Sequence, residues 1–391
     1  MTIETNDVSS IRRRLILRDS LTFVSLLLVT IVLSGITLFL FRSFTAHRAE
    51  LAQRWSDRGR DAITAGHPDQ AVVALRTSLS YAPGERSYEL LLAQALGDAG
   101  HLEESYNYFL GLWETEPGNG FINLSLARLA AKKNDTQGAI NYYRASIYGT
   151  WEGDGVVRRR EVRLELARFL MAHRDMSSAR TELLVAGGNN PGDLGLTLTL
   201  AQMLEQTGDP HDALRSYEKV LTQEPENQTA LIAAGRLEYE DGKFEEAHRL
   251  LERAVSGQGH TGTAIAQEVS TMLENSAKIL TLAPSKKLLP RERVERILKA
   301  RDIAKKRLDS CNAQVSTSSG APSSLQSLNA RWMGNDATAS RAALLKDPLE
   351  QDANVKLIFD TEVQTSQICG APTGDDALLL LLAHTPKAME P

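Results

Sequence analysis

The chain has 391 residues, 42% hydrophobic and 24% charged, a composition that supplies a large core and excludes a disordered chain. A formal net charge of -5 excludes a general pull toward nucleic acid or an anionic surface, so any cationic function must be local. The two cysteines, Cys311 and Cys369, stand outside any C-x-x-C or Cys/His ligand spacing, which excludes zinc, haem-attachment and thioredoxin-type sites and leaves a single disulfide in an oxidising compartment.

In chain order, the first element is the uncharged run from Leu21 to Phe41, preceded by Arg18 and Asp19 and followed by Arg42. At about 1.5 Å per residue its length matches a hydrocarbon core of about 30 Å, so a single transmembrane helix is expected over residues 21–41. A cleaved signal peptide fits less well, because its apolar region would be shorter and followed by a small-x-small site. Arg12, Arg13 and Arg14 suggest a twin-arginine signal, but a full-length span follows them. Residues 1–20 then form a short basic tail retained in the cytoplasm, which places the body outside it; arginines of a long downstream domain count for little.

Self-similarity comes next. A small residue opens each second helix of a pair at Ala71, Ser105, Ala139, Ala179, Ala213 and Ala247, spaced by 34 residues except for one interval of 40. Four positions on stand Leu75, Phe109, Tyr143, Leu183, Tyr217 and Leu251, and twelve on stand Pro83, Pro117, Trp151, Pro191, Pro225 and Gly259. Each first helix carries a small residue for close approach: Gly59, Ala93, Ala127, Ala167, Ala201 and Gly235. The turn inside each pair falls at Gly66, Gly100, Asn134, Arg174, Gly208 and Gly242, five of them types that tolerate a left-handed backbone.

These columns over residues 52–259 resemble the tetratricopeptide repeat family. The resemblance implies an all-α fold, an N-terminal transmembrane helix followed by a right-handed α-solenoid of six repeats, with capping helices behind it. Stacked pairs would bury faces that no single pair can bury alone. The longer interval, YGTWEGDGVVRRR, is expected to loop out near residues 149–156, with Gly149, Gly153 and Gly155 making it flexible.

Residues 260–391 match no family pattern and read as a helical cap region. Helical periodicity is expected at 264–283, at 291–312 behind Pro290, at 325–345 and at 349–368, with a Ser/Gly/Pro linker at 314–324. The apolar run Leu378 to Ala383 is too short to span a membrane and is expected to plug the end of the core.

Chemistry is scarce. Gly257-Gln258-Gly259-His260-Thr261-Gly262 has the form G-x-G-x-x-G but follows a helix instead of a strand. His67 and His101 share a turn column with Asp135, Asp175, Asp209 and Lys243, as solvated turn residues do. Asp375 and Asp376 would diverge by about 100° on a helix and are expected to cap it instead of forming a catalytic pair. Lys299, Arg301, Lys305, Lys306 and Arg307 read as a solvated helix face. Neither a cofactor nor a metal is indicated.

One column points to binding. In tetratricopeptide proteins the first helices line the concave face, and directly after each small residue come Arg60, Gln94, Arg128, Arg168, Gln202 and Arg236. Guanidinium groups spaced along a groove would favour an acidic tail or peptide. The expected function is therefore a non-catalytic scaffold, single-pass in the inner membrane with its body periplasmic, that binds a protein or peptide partner in an envelope process and no nucleic acid. This resembles the membrane-anchored tetratricopeptide proteins of cytochrome maturation and secretion. An adaptor facing the cytoplasm, similar to proteins of lipopolysaccharide assembly, is the alternative, although those carry paired metal-binding cysteines. An enzyme would need a catalytic domain within 260–391.

Overall fold

A computed structural model describes residues 5–188, 192–256, 263–316, 322–336 and 339–385. Pro191, Gly259, the glycine pattern at 257–262 and residues 317–321 of the 314–324 linker lie outside them. The chain divides into two units, residues 1–169 and 170–391.

Unit 1 begins with α1 (Thr5–Thr64), a single helix of 60 residues. The basic tail, the apolar run and the first helix of the first repeat are therefore one uninterrupted element. Its apolar side chains from Leu15 to Phe44 are exposed, and it is long and apolar enough to cross a membrane. The helices that follow are α2 (Pro68–Tyr81), α3 (Arg86–Asp98), α4 (Leu102–Thr115), α5 (Gly120–Lys132), α6 (Thr136–Tyr148) and α7 (Gly155–Ala172), so that α1 and α2, α3 and α4, and α5 and α6 are the repeat pairs.

Unit 2 holds α8 (Met176–Gly188), α9 (Leu194–Gln206), α10 (Pro210–Gln223), α11 (Gln228–Glu240) and α12 (Phe244–Ser256). Behind them come α13 (Thr263–Leu282), α14 (Pro290–Ser316), α15 (Ser323–Asp336), α16 (Arg341–Lys346), α17 (Pro348–Cys369) and α18 (Asp375–His384). Among the described residues there is no strand beyond one isolated bridge. Starts are set chemically: Pro68, Pro210, Pro290 and Pro348 occupy first-turn positions, and the side chains of Asn119, Asp135, Asp193, Asp209 and Asn227 accept from first-turn amides.

The packing columns are buried. All six small residues opening second helices, from Ala71 to Ala247, have no exposed surface, and the large residues four positions on, from Leu75 to Leu251, are at most 3% exposed. The small residues of the first helices set the approach. A Cβ on Gly59 would lie 2.5 Å from Leu75, and one on Gly235 2.7 Å from Leu251. At Ser105 the hydroxyl donates to the Ala93 carbonyl, 2.6 Å away, so a polar anchor is satisfied where the others are alanine.

All six turn positions have positive φ, including Asn134 at 61° and Arg174 at 61°. Arg174 departs from the residue types that suit that geometry, because its Cβ crowds the following carbonyl there. His67 and His101 are exposed and precede α2 and α4 without a side-chain cap, whereas Asp135, Asp175 and Asp209 in the same column do accept a first-turn amide.

Three expectations for the C-terminal region are corrected. The 325–345 helix is two helices, α15 and α16, the second started by Ser340 accepting from the Ala343 amide. The basic stretch of α14 is not a uniformly solvated face. Lys305 and Lys306 pair with Asp309 and Asp302 on the surface, but Arg301 is only 8% exposed. It donates to Asn335 at 2.5 Å, Asn354 at 2.7 Å and Asp336 at 2.5 Å, and lies over the Trp332 ring at 4.4 Å. Asp375 and Asp376 do not cap α18: its N-cap is Gly374, with no side-chain bond, and Asp376 faces Glu362. Leu378, Leu379 and Leu382 are buried in a core shared with Phe244 of α12, Ile279 of α13 and Trp332 of α15. Cys311 and Cys369 form a disulfide with Cα atoms 5.7 Å apart, tying the ends of α14 and α17.

Arg174→Gly is expected to stabilise the protein by about 1 kcal/mol by relieving the left-handed arginine. Gly59→Ala should destabilise it by about 1–3 kcal/mol, since Leu75 has to move. Urea unfolding followed by circular dichroism checks both signs.

Candidate functional site

Unit 1 carries a groove of about 830 Å³. Its walls come from the first helices of successive pairs. Arg86, Leu90 and Leu91 of α3 and Phe121, Leu124 and Arg128 of α5 form one part; Arg158, Glu161, Val162 and Glu165 of α7 face them, and Arg60 of α1 also lines it. Alternation of this kind follows from the repeat: each helix turns its small residue toward its partner and leaves the opposite face to the groove.

The six-residue insertion does not loop out, and its Thr150, Trp151 and Glu152 line the groove. Thr150 and Asn119 form a parallel bridge, in which the Gly120 amide donates to the Thr150 carbonyl at 2.8 Å and the Thr150 amide to the Gly118 carbonyl at 2.8 Å. The Trp151 indole donates to the Ser146 carbonyl at 3.0 Å, and its ring occupies the space where Gly120 lacks a side chain. A Cβ on Gly149 would lie 2.8 Å from the Gly118 carbonyl oxygen, so glycine here permits close backbone approach instead of supplying flexibility. Asp154 accepts from the Val156 and Val157 amides and starts α7. Trp151 stands at the position held by proline in most other repeats, and that was the one sequence signal of this strap.

The six-residue column divides. Arg60 and Arg128 line the unit 1 groove, whereas Gln202 and Arg236 line a smaller groove of about 460 Å³ in unit 2. Gln94, partly buried, and Arg168, exposed, line neither. The arginines are not a bare cationic ladder. Arg128 binds Glu165 with two hydrogen bonds, of 2.8 and 2.7 Å, and the Tyr143 hydroxyl donates to the same carboxylate at 2.9 Å. Unit 2 repeats the chemistry: Arg236 is ion-paired with Glu205, and the Tyr217 hydroxyl donates to Glu205 at 3.0 Å. Arg60 pairs with Asp57 of its own helix at 3.4 Å.

Sequence reading placed Tyr143 and Tyr217 only in the packing column and missed their hydroxyls. Burial, the first influence on Glu165, opposes its ionisation, yet hydrogen bonds from Arg128 and Tyr143 and the charges of Arg128 and Arg168 hold its carboxyl below the ordinary 4.5. Burial and the Glu165 charge push the Tyr143 phenol up, so it stays a donor at any working pH. Arg86 pairs with Glu116, and Arg158 with Glu161 at 3.1 Å. The groove therefore presents guanidinium and carboxylate groups in matched pairs around an apolar floor. Among the described residues no group of three or more His, Cys, Asp or Glu side chains is placed to hold a metal.

The sequence model of the tetratricopeptide repeat matches residues 204–260. The cellulose synthase 1 operon protein C of Komagataeibacter xylinus is 24% identical over 219 residues, which cover 54% of this chain and 16% of that protein, so the chain spans a small part of its length. Among solved structures, YrrB, described as a TPR protein with an unusual peptide-binding site, is 16% identical, with 51% of this chain and 98% of that one covered and a TM-score of 0.39. The C-terminal part of a TPR repeat-containing protein from Cytophaga hutchinsonii is 15% identical, with 59% and 96% covered and a TM-score of 0.44. Residues 204–260 are a tetratricopeptide repeat segment, and the same small and large columns recur in the other helix pairs of the chain.

Proposed function

We propose that this chain is a non-catalytic adaptor tethered to the inner membrane by α1, with its body on the periplasmic side and an extended segment of a partner protein in the unit 1 groove. The observation that carries the binding reading is the strapped groove itself: a concave surface of repeat first helices, lined also by Trp151 and pre-shaped by backbone bonds. The matched charges argue for a segment of mixed charge and apolar side chains, in place of the acidic tail that the arginine column suggested. Each guanidinium already has a carboxylate, and an acidic ligand would have to displace it.

The anchor reading rests on the exposed apolar stretch of α1 and the arginines before it. The orientation reading draws support from the Cys311–Cys369 disulfide, which belongs to an oxidising compartment and disfavours the cytoplasmic adaptor. Among envelope processes, the partial likeness to a cellulose synthase operon protein favours polysaccharide handling.

Three outcomes are expected. Trp151→Ala should lower partner recovery about tenfold or more in affinity purification from detergent-solubilised membranes, at unchanged helicity, because an aromatic anchor and the strap's seat are lost together; unchanged recovery contradicts the groove reading. Arg128→Glu should cost stability, of the order of 1 kcal/mol or more, by facing Glu165 with a second carboxylate, and urea unfolding reads it. Because Glu165 has a lowered carboxyl, its clamp is present above the ordinary glutamate value and lost as pH falls through the lowered one. The acid limb of the stability curve should therefore flatten in Glu165→Gln.

A further inference from the structure

The C-terminal helices of unit 2 bury an ionisable group that the groove does not use. Glu362 of α17 is fully buried, and neither of its carboxylate oxygens has a hydrogen-bond partner. Asp376, in the first turn of α18, is the acid whose charge acts on it, and its Oδ1 is also buried without a partner. Two ionised carboxylates only accept, so they repel. One proton held between them turns the contact into an O–H···O bond.

The surrounding charges do not replace that proton. From α14, Arg307 favours ionisation of both groups, but it donates to the Gly370 carbonyl at 2.6 Å and its Nε has no partner. From α18, Asp375 adds repulsion to Asp376, and from α13, Lys278 acts on Asp375. The cations of the other neighbours are occupied: Arg331 of α15 pairs with Asp360 at 2.7 Å, and Arg341 of α16 with Glu295. Burial first, and Asp376 second, push the Glu362 carboxyl up from 4.5 to about 8.

The helix on which Asp376 stands is short and is set off from α17 by two glycines. It has ten residues and joins α17 through Gly370 and Gly374, both with positive φ. The α17 side of that corner is fixed by the Cys311–Cys369 disulfide and by Arg307 on Gly370. Beyond the corner α18 is held by Leu378, Leu379 and Leu382, and its far end reaches the turn of the last repeat, where a Cβ on Gly242 would lie 3.0 Å from Thr385.

We propose that α18 is a proton-held latch on the last repeat: a proton shared by Glu362 and Asp376 keeps it docked, and loss of that proton releases it and uncovers the apolar seat of its leucines. The sign follows from the raised carboxyl. A released Glu362 returns to the ordinary glutamate value, so docking is at full strength below that value, weakens as pH rises from it toward about 8, and changes no further above. One linked proton changes the docking equilibrium by at most about tenfold per pH unit within that window.

Hydrogen exchange of the detergent-solubilised full chain, disulfide intact, tests this by mass spectrometry of peptides spanning Asp375–His384 from pH 5.5 to 9, corrected for the intrinsic pH dependence of exchange. The expected result is that protection of α18 falls at least about tenfold between pH 6 and 8.5 while that of α11 stays level. Glu362→Gln and, independently, Asp376→Asn should keep α18 protected at alkaline pH. Protection of wild-type α18 that does not change with pH overturns the latch even if neither variant folds, as do two folded variants that retain the wild-type profile.

Discussion

The fold depends on one steric constraint: the two helices of each pair approach until a large side chain of the second lies against a position of the first that has little or no side chain. Leu75 over Gly59 and Leu251 over Gly235 leave no room for a Cβ, and the alanines of the other pairs are fully buried. That approach fixes the turn between the helices so tightly that all six turns adopt the left-handed backbone, even where the residue is Arg174. It also turns the remaining face of every first helix outward, so the groove is a by-product of the packing and its shape is set by the core. The same constraint makes α1 unusual. Its C-terminal part is a repeat helix and its apolar part is not interrupted, so about 28 Å of helix, at 1.5 Å per residue, separates Phe41 from Arg60 without a joint. A groove carried on such a rod would have a fixed height above a membrane.

The repeats were legible because each column answers a steric demand that recurs every 34 residues, and recurrence separates it from chance. Gly59, Ala93 and their equivalents could be assigned to helix contacts from residue type alone. What occurs once was not legible in the same way. The insertion looked flexible because Gly149 and Gly153 also suit a mobile loop; only the backbone bonds to Gly118 and Gly120 show that Gly149 serves a close approach. The arginine column divides between two grooves, and its ion pairs were not legible. Arg128 and Arg236 find carboxylates at different offsets, Glu165 in the following repeat and Glu205 in the preceding one, so no fixed spacing announced the pairs.

In the C-terminal region helices were legible and contacts were not. Arg301 lies in a run of alternating charges that is compatible with solvent on every side, and its burial depends on Trp332 and Asn354 from helices far along the chain. Glu362 carried no signal, since an acid in a helix is ordinarily exposed. The plug was legible because five consecutive leucines from Leu378 to Leu382 exceed what a solvated helix carries. Its ionisable hinge was hidden by the reading of Asp376 as a cap.

The central claim is that the strapped groove is where a partner lies. Photo-crosslinking in intact membranes addresses it directly, with a reactive side chain placed at Ser87 or Glu152 on the groove and, as the control, at Val73, which is 64% exposed on α2. The account predicts one discrete adduct from both groove positions and none from Val73. Adducts from Val73 with none from Ser87 and Glu152 would contradict it and move the binding surface to the second helices.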